Sequence, residues 1–193
     1  MLSVKELNLY EIKEIYDTHM QEAFPQSELR PYRNIEMLYK NGNYVCYGLY
    51  DDENLLAYAY FSRTQGGKYT LLDYFAVLKE LRGTGIGSRF FPLLHEKMHD
   101  TDGFLIEVES VESTDDADEK ALRQRRIAFY ERNGCVVTNV KCLLYGVDFT
   151  IMMHPVAKPV PTDIDTLEQL EKIYHVMFDD TLYNRVCFPS IKK

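Results

Sequence analysis

The chain has 193 residues, 46% of them hydrophobic and 27% charged, and its 30 acidic and 22 basic side chains give a net charge of −8. This composition suits one folded domain, excludes wholesale disorder, and argues against a nucleic-acid-binding protein, which usually carries a basic face. No run approaches the roughly 18 apolar residues that span a membrane. No secretory signal is evident at the N-terminus, and the four cysteines lack metal-ligand spacing, so we expect a cytoplasmic protein with reduced thiols.

The first half of the chain predicts two helices and a meander of strands. One helix runs from Asn8 to about Phe24, where Pro25 ends it, and a second begins at Pro31. The predicted strands are residues 3–7, 44–50, 55–62 and 69–77. The chain has 15 tyrosines, which crowd into these strands and are expected to pack the sheet.

Helices and strands alternate in the second half. A glycine-rich turn opens an amphipathic helix, and a strand at 104–108 follows. A helix over 121–133 is predicted to end at Gly134, and strands at 135–144 and 147–154 form a hairpin. The element order predicts a mixed α/β (α+β) fold with a central, mostly antiparallel sheet.

Prolines at 155, 159 and 161 indicate a stiff linker before an amphipathic helix with an apolar stripe from Ile164 to Met177. We therefore predict a domain over residues 1–154 and a linker with a helical extension over 155–193. The stripe suits packing on its own domain, a homodimer interface or the docking of another partner.

Seven acidic residues and no basic ones lie between Glu107 and Glu119. The remainder of the chain is close to neutral, so this acidic run carries most of the net charge. A solvated loop is the simplest interpretation. Attraction of a cationic substrate is a second hypothesis.

The most specific motif is Arg-Gly-Thr-Gly-Ile-Gly at residues 82–87, between a predicted strand and a helix. Glycines allow close approach to the backbone, and a helix N-terminus with a neighbouring arginine favours an anion. A pyrophosphate is the natural ligand. The spacing is neither that of a dinucleotide-binding turn nor that of a P-loop. Taken alone, it also fits an ordinary turn.

Two segments in order resemble the GNAT superfamily of acyl-CoA-dependent N-acetyltransferases. The motif at 82–87 matches the pattern Arg/Gln-x-x-Gly-x-Gly/Ala after the strand 71–77, and residues 126–135 (RIAFYERNGC) resemble the family's second signature. The resemblance covers residues 3–154. It implies a GNAT-like splayed sheet flanked by helices, and an enzyme that moves acetyl from acetyl-CoA to a primary amine of a small molecule or peptide by direct attack.

The resemblance also implies the residues that bind acetyl-CoA, the only cofactor expected, without a metal. Part of the set would pair with the pantetheine arm through the backbone of the strand end, and part would hold the pyrophosphate. These cofactor-binding residues are Phe75, Ala76, Val77, Arg82, Gly83, Thr84, Gly85, Ile86, Gly87 and Ser88.

Catalytic residues follow from the same resemblance and from the reaction. Tyr130 stands where the family places the acid that protonates the departing thiolate. An ammonium group, with a pKa of about 10.4, must lose a proton before it attacks, so a carboxylate base is expected. Glu107 ranks first, Asp73 second and Glu109 third.

The chain departs from the family pattern at Arg123, where an asparagine is common, and in the acidic run, which lengthens the connection to the Tyr130 helix. Arg30 and Arg33, in the connection that often lines the acceptor site, are interpreted as solvated charges rather than ligands of a substrate carboxylate. A non-catalytic acyl-CoA-binding or sensor module is the alternative function. Neither nucleic acid nor a membrane is an expected partner.

Overall fold

The computed structural model describes residues 1–192, which form two compact units. The first unit contains residues 1–65 and 72–97, and the second contains residues 66–71 and those from Met98 onwards. The strands are β1 (Leu2–Glu6), β2 (Tyr44–Asp51), β3 (Asn54–Arg63), β4 (Tyr69–Val77), β5 (Gly103–Glu109), β6 (Val136–Leu144), β7 (Val147–Pro155) and β8 (Cys187–Ile191). The α-helices are α1 (Leu9–Ile15), α2 (Gln21–Ala23), α3 (Tyr32–Lys40), α4 (Ile86–Lys97), α5 (Ala117–Arg132), α6 (Asp163–Met177) and α7 (Asp180–Val186).

In the first unit the strands follow the order β1-β2-β3-β4, with residues 72–77 of β4 included. β2 pairs antiparallel with both β1 and β3. At the far end of β4, the Leu78 amide donates to the Leu56 carbonyl at 3.0 Å. Tyr58 and Tyr60 of β3 are fully buried. The predicted meander and the packing role of these tyrosines are therefore confirmed.

The first helical segment starts as predicted, with a capping box between Asn8 and Glu11. It is not one regular helix, because Tyr16–Met20 forms a π-helix between α1 and α2. Ile15 and Met20 are both buried. Residues five apart diverge on an α-helix, and the wider π-turn brings them back to one face.

In the second unit the strands follow the order β5-β7-β6-β8 after the first three residues of β4. β7 pairs antiparallel with β5 and β6, and β6 pairs antiparallel with β8. The predicted hairpin turns at Tyr145 and Gly146, whose φ angles of 50° and 81° suit a tight hairpin turn. The mixed α/β class with a mostly antiparallel sheet is confirmed.

The C-terminal helix α6 begins as predicted, with the Thr162 side chain accepting from the Asp165 amide. Its apolar stripe packs on the strands of its own unit from Leu167 onwards, whereas Ile164, predicted as the first residue of the stripe, is exposed. The buried residues of this core are Leu71, Leu105, Val140, Cys142, Ile151, Met153, Leu170, Ile173, Tyr174, Met177, Phe178 and Cys187. Helix α7 and strand β8 were not predicted. The domain boundary at residue 154 stays a prediction.

The burial of α6 makes a testable prediction for Leu170, which has no exposed surface. Leu170→Ala should lower the free energy of unfolding by about 2–5 kcal/mol, because it leaves a cavity in the core. Ile164→Ala is the matched control, since Ile164 lies on the same helix and is 64% exposed. Denaturant unfolding measures both variants, and equal losses would contradict the packing described here.

Candidate functional site

The glycine-rich turn connects β4 to α4 in the first unit. Gly83 and Gly85 have φ angles of 78° and 84°, in the left-handed region that favours glycine. A Cβ atom built on either residue would meet no described atom within 4 Å apart from those of the adjoining residues. The turn therefore combines a glycine-dependent backbone with open space above it.

The start of α4 presents backbone donors beside this space. The Arg89 amide donates to the Gly85 carbonyl at 3.1 Å, so the amides of residues 86–88 have no acceptor one turn earlier in the helix. The Thr84 hydroxyl donates to the Leu81 carbonyl at 2.6 Å and fixes the preceding turn. Ile86 and Gly87 are buried, whereas Ser88 is exposed. Such a helix start suits a phosphate group.

The end of β4 is stabilised by a ring contact with α4 and by a hydrogen bond from the glycine-rich turn. The Phe75 ring stacks on Phe90 of α4 with centroids 5.7 Å apart. The Arg82 Nε donates to the Val77 carbonyl at 3.3 Å. Ala76, between Phe75 and Val77, is buried. These contacts fix the strand end from which the glycine-rich turn departs.

A cavity of about 230 Å³ lies beside this strand end, within the first unit. The Tyr58 hydroxyl, on a fully buried side chain, has no hydrogen-bond partner among residues 1–192. The cavity is lined by Thr18, His19, Glu22, Ala23, Tyr58, Val77, Leu78, Lys79, Glu80 and Arg82. Two of the predicted cofactor-binding residues therefore also border a polar pocket.

Asp73 lies in a buried ion pair of the first unit. Its carboxylate is 3.5 Å from the Arg30 Nε and accepts a hydrogen bond from the Tyr44 hydroxyl. The Arg30 and Asp73 side chains are only 12% and 9% exposed. The negative charge of Asp73 raises the pKa of Arg30 against the opposing effect of its burial. Interpreting Arg30 as a solvated charge was therefore wrong, because folding buries it against Asp73.

The same connection is bound to β4 through Tyr74. The Tyr74 hydroxyl accepts from the Arg30 amide and donates to the Glu28 carbonyl, both at 2.8 Å. The Phe24 ring meets Tyr74 edge-on, with centroids 5.0 Å apart. Tyr74 and Arg30 thus fix the segment between α2 and α3 on the strand that carries Asp73.

Glu109, in the second unit, is held by two arginines of α5. Its two carboxylate oxygens lie 3.2 Å from the Arg123 Nη2 and 3.3 Å from the Arg126 Nη1. Arg123 also donates to the Ser110 carbonyl and the Ser113 hydroxyl. The departure from the family pattern at Arg123 therefore has a local consequence, because this arginine ties the acidic run to α5.

Helix α5 starts at Ala117, earlier than the predicted residue 121. The Asp116 side chain accepts from the Glu119 amide and caps the helix. Asp118 and Glu119 lie in the first turn, where negative charge is favourable. Part of the acidic run is thus a helix start rather than a solvated loop.

Glu107 lies on the same strand as Glu109 but contacts a different kind of group. Its Oε1 accepts a hydrogen bond from the hydroxyl of Tyr174, which lies on α6. Glu107 is half-buried, and it pairs across the sheet with Ile151 of β7. Sequence reasoning missed Tyr174. A tyrosine within an otherwise aliphatic stripe was the signal that a buried hydroxyl needs a polar partner.

Tyr130 lies near the end of α5 and is 7% exposed. Its ring meets Phe129 edge-on, with centroids 5.2 Å apart. Burial raises the pKa of Tyr130 well above its ordinary value. Gly134, with a φ of 85°, ends the helix as predicted, and the Cys135 amide then donates to the Tyr130 carbonyl at 3.0 Å. Tyr130 is thus a buried, protonated phenol at neutral pH.

Residues 9–135 match the model of the Acetyltransferase (GNAT) family, which covers more than half of the chain. The chain belongs to the GNAT family. The resemblance carried by the two sequence motifs is confirmed, and so is the enzyme class, a GNAT-type acetyltransferase. No curated protein matches this sequence significantly.

Solved structures share this fold. A GNAT-family acetyltransferase structure from Bacteroides thetaiotaomicron is 19% identical, covering 91% of this chain and 98% of its own, with a TM-score of 0.71. The ribosomal-protein-S18-alanine N-acetyltransferase from Escherichia coli is 17% identical, covering 84% and 98%, with a TM-score of 0.61. Spermidine N-acetyltransferase from Vibrio cholerae, in complex with CoA and spermine, is 12% identical, covering 81% and 96%, with a TM-score of 0.60.

The turn between β4 and α4 fits the cofactor of this GNAT family. Open space above Gly83 and Gly85, together with amides at the start of α4, suits a pyrophosphate. Among residues 1–192, no group of three or more metal-ligating side chains is close enough to bind an ion. Within the same residues, no helix is long and apolar enough to cross a bilayer.

The ion pair of this GNAT protein gives a stability prediction. Asp73→Ala should lower the free energy of unfolding by about 3–5 kcal/mol, because Arg30 is left buried without its counter-charge. Replacing both residues, Arg30→Met with Asp73→Leu, should recover part of that loss, since no buried charge is left unpaired, while the Tyr44 hydroxyl still loses its acceptor. Denaturant unfolding measures the free energy of unfolding of the wild type, the single variant and the double variant. A loss below about 1 kcal/mol for Asp73→Ala would place the pair among weak surface pairs.

Proposed function

We propose that this protein transfers an acetyl group from acetyl-CoA to a primary amine of a small molecule or peptide, by direct attack of the amine. The observation that carries the proposal is the turn of β4 and α4, whose glycines leave space beside unpaired helix amides in a member of the GNAT family. Acetyl-CoA supplies an acetyl group activated as a thioester. The chain's own residues bind, orient and exchange protons.

The proposed binding roles are those that the family resemblance implies, and the residues concerned lie in the first unit. The backbone at Phe75, Ala76 and Val77 is proposed to pair with the pantetheine arm, as the family resemblance implies, while the Phe75 ring packs on Phe90 of α4. Residues 83–88 bind the pyrophosphate through their amides, and Arg82 adds positive charge beside them. No metal is needed for these contacts.

Tyr130 is the proposed acid that protonates the departing sulfur. Burial raises the pKa of its phenol, so the proton is retained throughout the neutral range and is lost only above the ordinary value of about 10. Retention of the proton is the state that a donor requires. Loss of the Tyr130 proton should therefore not contribute to the pH dependence of turnover below about pH 10.

Glu107 is the preferred base among the three candidate carboxylates. Asp73 and Glu109 each contact a guanidinium group, and protonating either would weaken an ion pair that holds the fold together. The hydrogen bond from Tyr174 to Glu107 comes from a neutral phenol, which also bonds a protonated carboxyl group. The contact with Tyr174 is thus compatible with both the ionised and the protonated form of Glu107.

Turnover against a panel of primary amines tests the function itself. Release of the CoA thiol that depends on both acetyl-CoA and an amine, with the acetylated amine identified by mass spectrometry, is the expected result. Binding of acetyl-CoA without release for any amine would support the alternative, a non-catalytic acyl-CoA-binding module. The panel should contain polyamines, amino sugars and peptides with free N-termini.

The CoA turn gives a prediction for binding. Gly85→Glu should abolish CoA binding, because a charged side chain would occupy the space above the turn and repel the pyrophosphate. Gly42→Glu is the matched control, since Gly42 also has a positive φ, 72°, and open space around its Cβ direction. Titration calorimetry with CoA compares the two variants. Retained affinity in Gly85→Glu would place the pyrophosphate elsewhere.

A second prediction concerns Tyr130. Tyr130→Phe should lower kcat by about 10²-fold or more with little change in the affinity for acetyl-CoA, because only the proton donor is removed. Tyr145→Phe is the control, since Tyr145 is 58% exposed in the β6–β7 turn. Steady-state kinetics over pH 6–9 measures both. Full turnover by Tyr130→Phe would exclude the acid role.

A further inference from the structure

Helix α6 brings a buried hydroxyl group to the candidate base. Tyr174 has no exposed surface, and its hydroxyl donates to the Glu107 Oε1. Tyr174 lies outside residues 9–135, the part of the chain that matches the GNAT model. A segment beyond the matched region therefore contacts a residue to which the proposed reaction assigns a proton transfer.

The surroundings of Tyr174 are those of an apolar core. Leu170, Ile173 and Met177 share its face of α6, and the Tyr174 ring packs on Phe178 with centroids 5.9 Å apart. A buried hydroxyl is unfavourable unless it forms a hydrogen bond. An aliphatic side chain would fill this position without that requirement, so the hydrogen bonds of the hydroxyl with Glu107 and Cys142 are the specific consequence of a tyrosine here.

We infer that Tyr174 is a positioning residue for Glu107, with the C-terminal helix completing the catalytic centre of the GNAT-like domain. The inference rests on the proposed function. The hydroxyl donates to one carboxylate oxygen and so fixes the side-chain orientation of Glu107. A hydrogen bond to the ionised carboxylate also favours the form that can accept a proton from the substrate ammonium.

Other titratable groups lie around the pair. Cys142 of β6 faces both Glu107 and Tyr174, and its Sγ is 3.8 Å from the Sγ of Cys187 on β8. Glu171 of α6 faces Cys187. Cys142→Ala removes the thiol that hydrogen-bonds Tyr174 and should leave the acid limb of the pH profile in place, because the inference assigns that limb to Glu107.

Tyr174→Phe tests the inference, since it keeps the ring and removes only the hydroxyl. The acid limb of the kcat/KM profile should move to higher pH by about one unit, a fall of about tenfold on that limb, with the KM for acetyl-CoA unchanged. Tyr183→Phe is the control, because Tyr183 packs against the same core from α7. Thermal unfolding of both variants separates a loss of stability from a loss of positioning.

A double-mutant comparison gives a sharper measurement. In a Glu107→Gln background, which has no carboxylate to position, Tyr174→Phe should cause no further loss of rate. Independent, multiplicative losses would overturn the inference. The inference would also be overturned if the wild type is active and Tyr174→Phe has the same pH profile.

An inactive wild-type protein would distinguish failure of the proposed function from failure of this inference. If the wild type acetylates no amine, the proposed function fails and the catalytic role of Tyr174 is overturned with it. The contact itself is then decided by NMR titration of the Glu107 carboxyl group, assigned with Glu107→Gln. A midpoint that Tyr174→Phe does not move would show that the hydroxyl does not bind the carboxylate in solution.

Discussion

The apolar stripe of α6 must be buried, and much of the second unit depends on how this is achieved. A helix of 15 residues is marginal by itself in water, so its stability comes from the packing of one face. Leu170, Ile173 and Met177 supply that face and are covered by the core of the same unit. Their burial carries the Tyr174 hydroxyl away from water, where it needs an acceptor, and Glu107 is that acceptor.

The three carboxylates proposed from the sequence as candidate bases form different contacts in the structure. Asp73 is buried with Arg30, and Glu109 lies between Arg123 and Arg126, so both are parts of the framework. Removing the charge of one partner in a buried ion pair strongly lowers the free energy of unfolding. A change of charge on Asp73 would therefore destabilise the protein. Glu107 contacts a neutral phenol instead. The three carboxylates therefore differ in a known contact: two meet guanidinium groups, and Glu107 meets a phenol.

Local features were predictable because they depend on neighbouring residues. The strands of the meander, the cap at Thr162 and the glycine that ends α5 all follow from short-range patterns. The start of α5 was placed too late, because the acids before it were interpreted as a charged loop rather than as a cap and first turn. Strand β8 was missed because its pairing with β6 is set by distant residues.

The amino-acid sequence was sufficient for the family, the glycine-rich turn and the order of elements as far as α6, apart from the π-helix, because motif spacing and glycine's backbone freedom depend on adjacent positions. The partners of the buried charged and polar groups became visible in the folded structure. Glu107 and Tyr174 are 67 positions apart, and no periodicity connects them. Burial removes water from a polar side chain, which then needs another hydrogen-bond partner. Which group becomes that partner depends on how the helices and strands pack together.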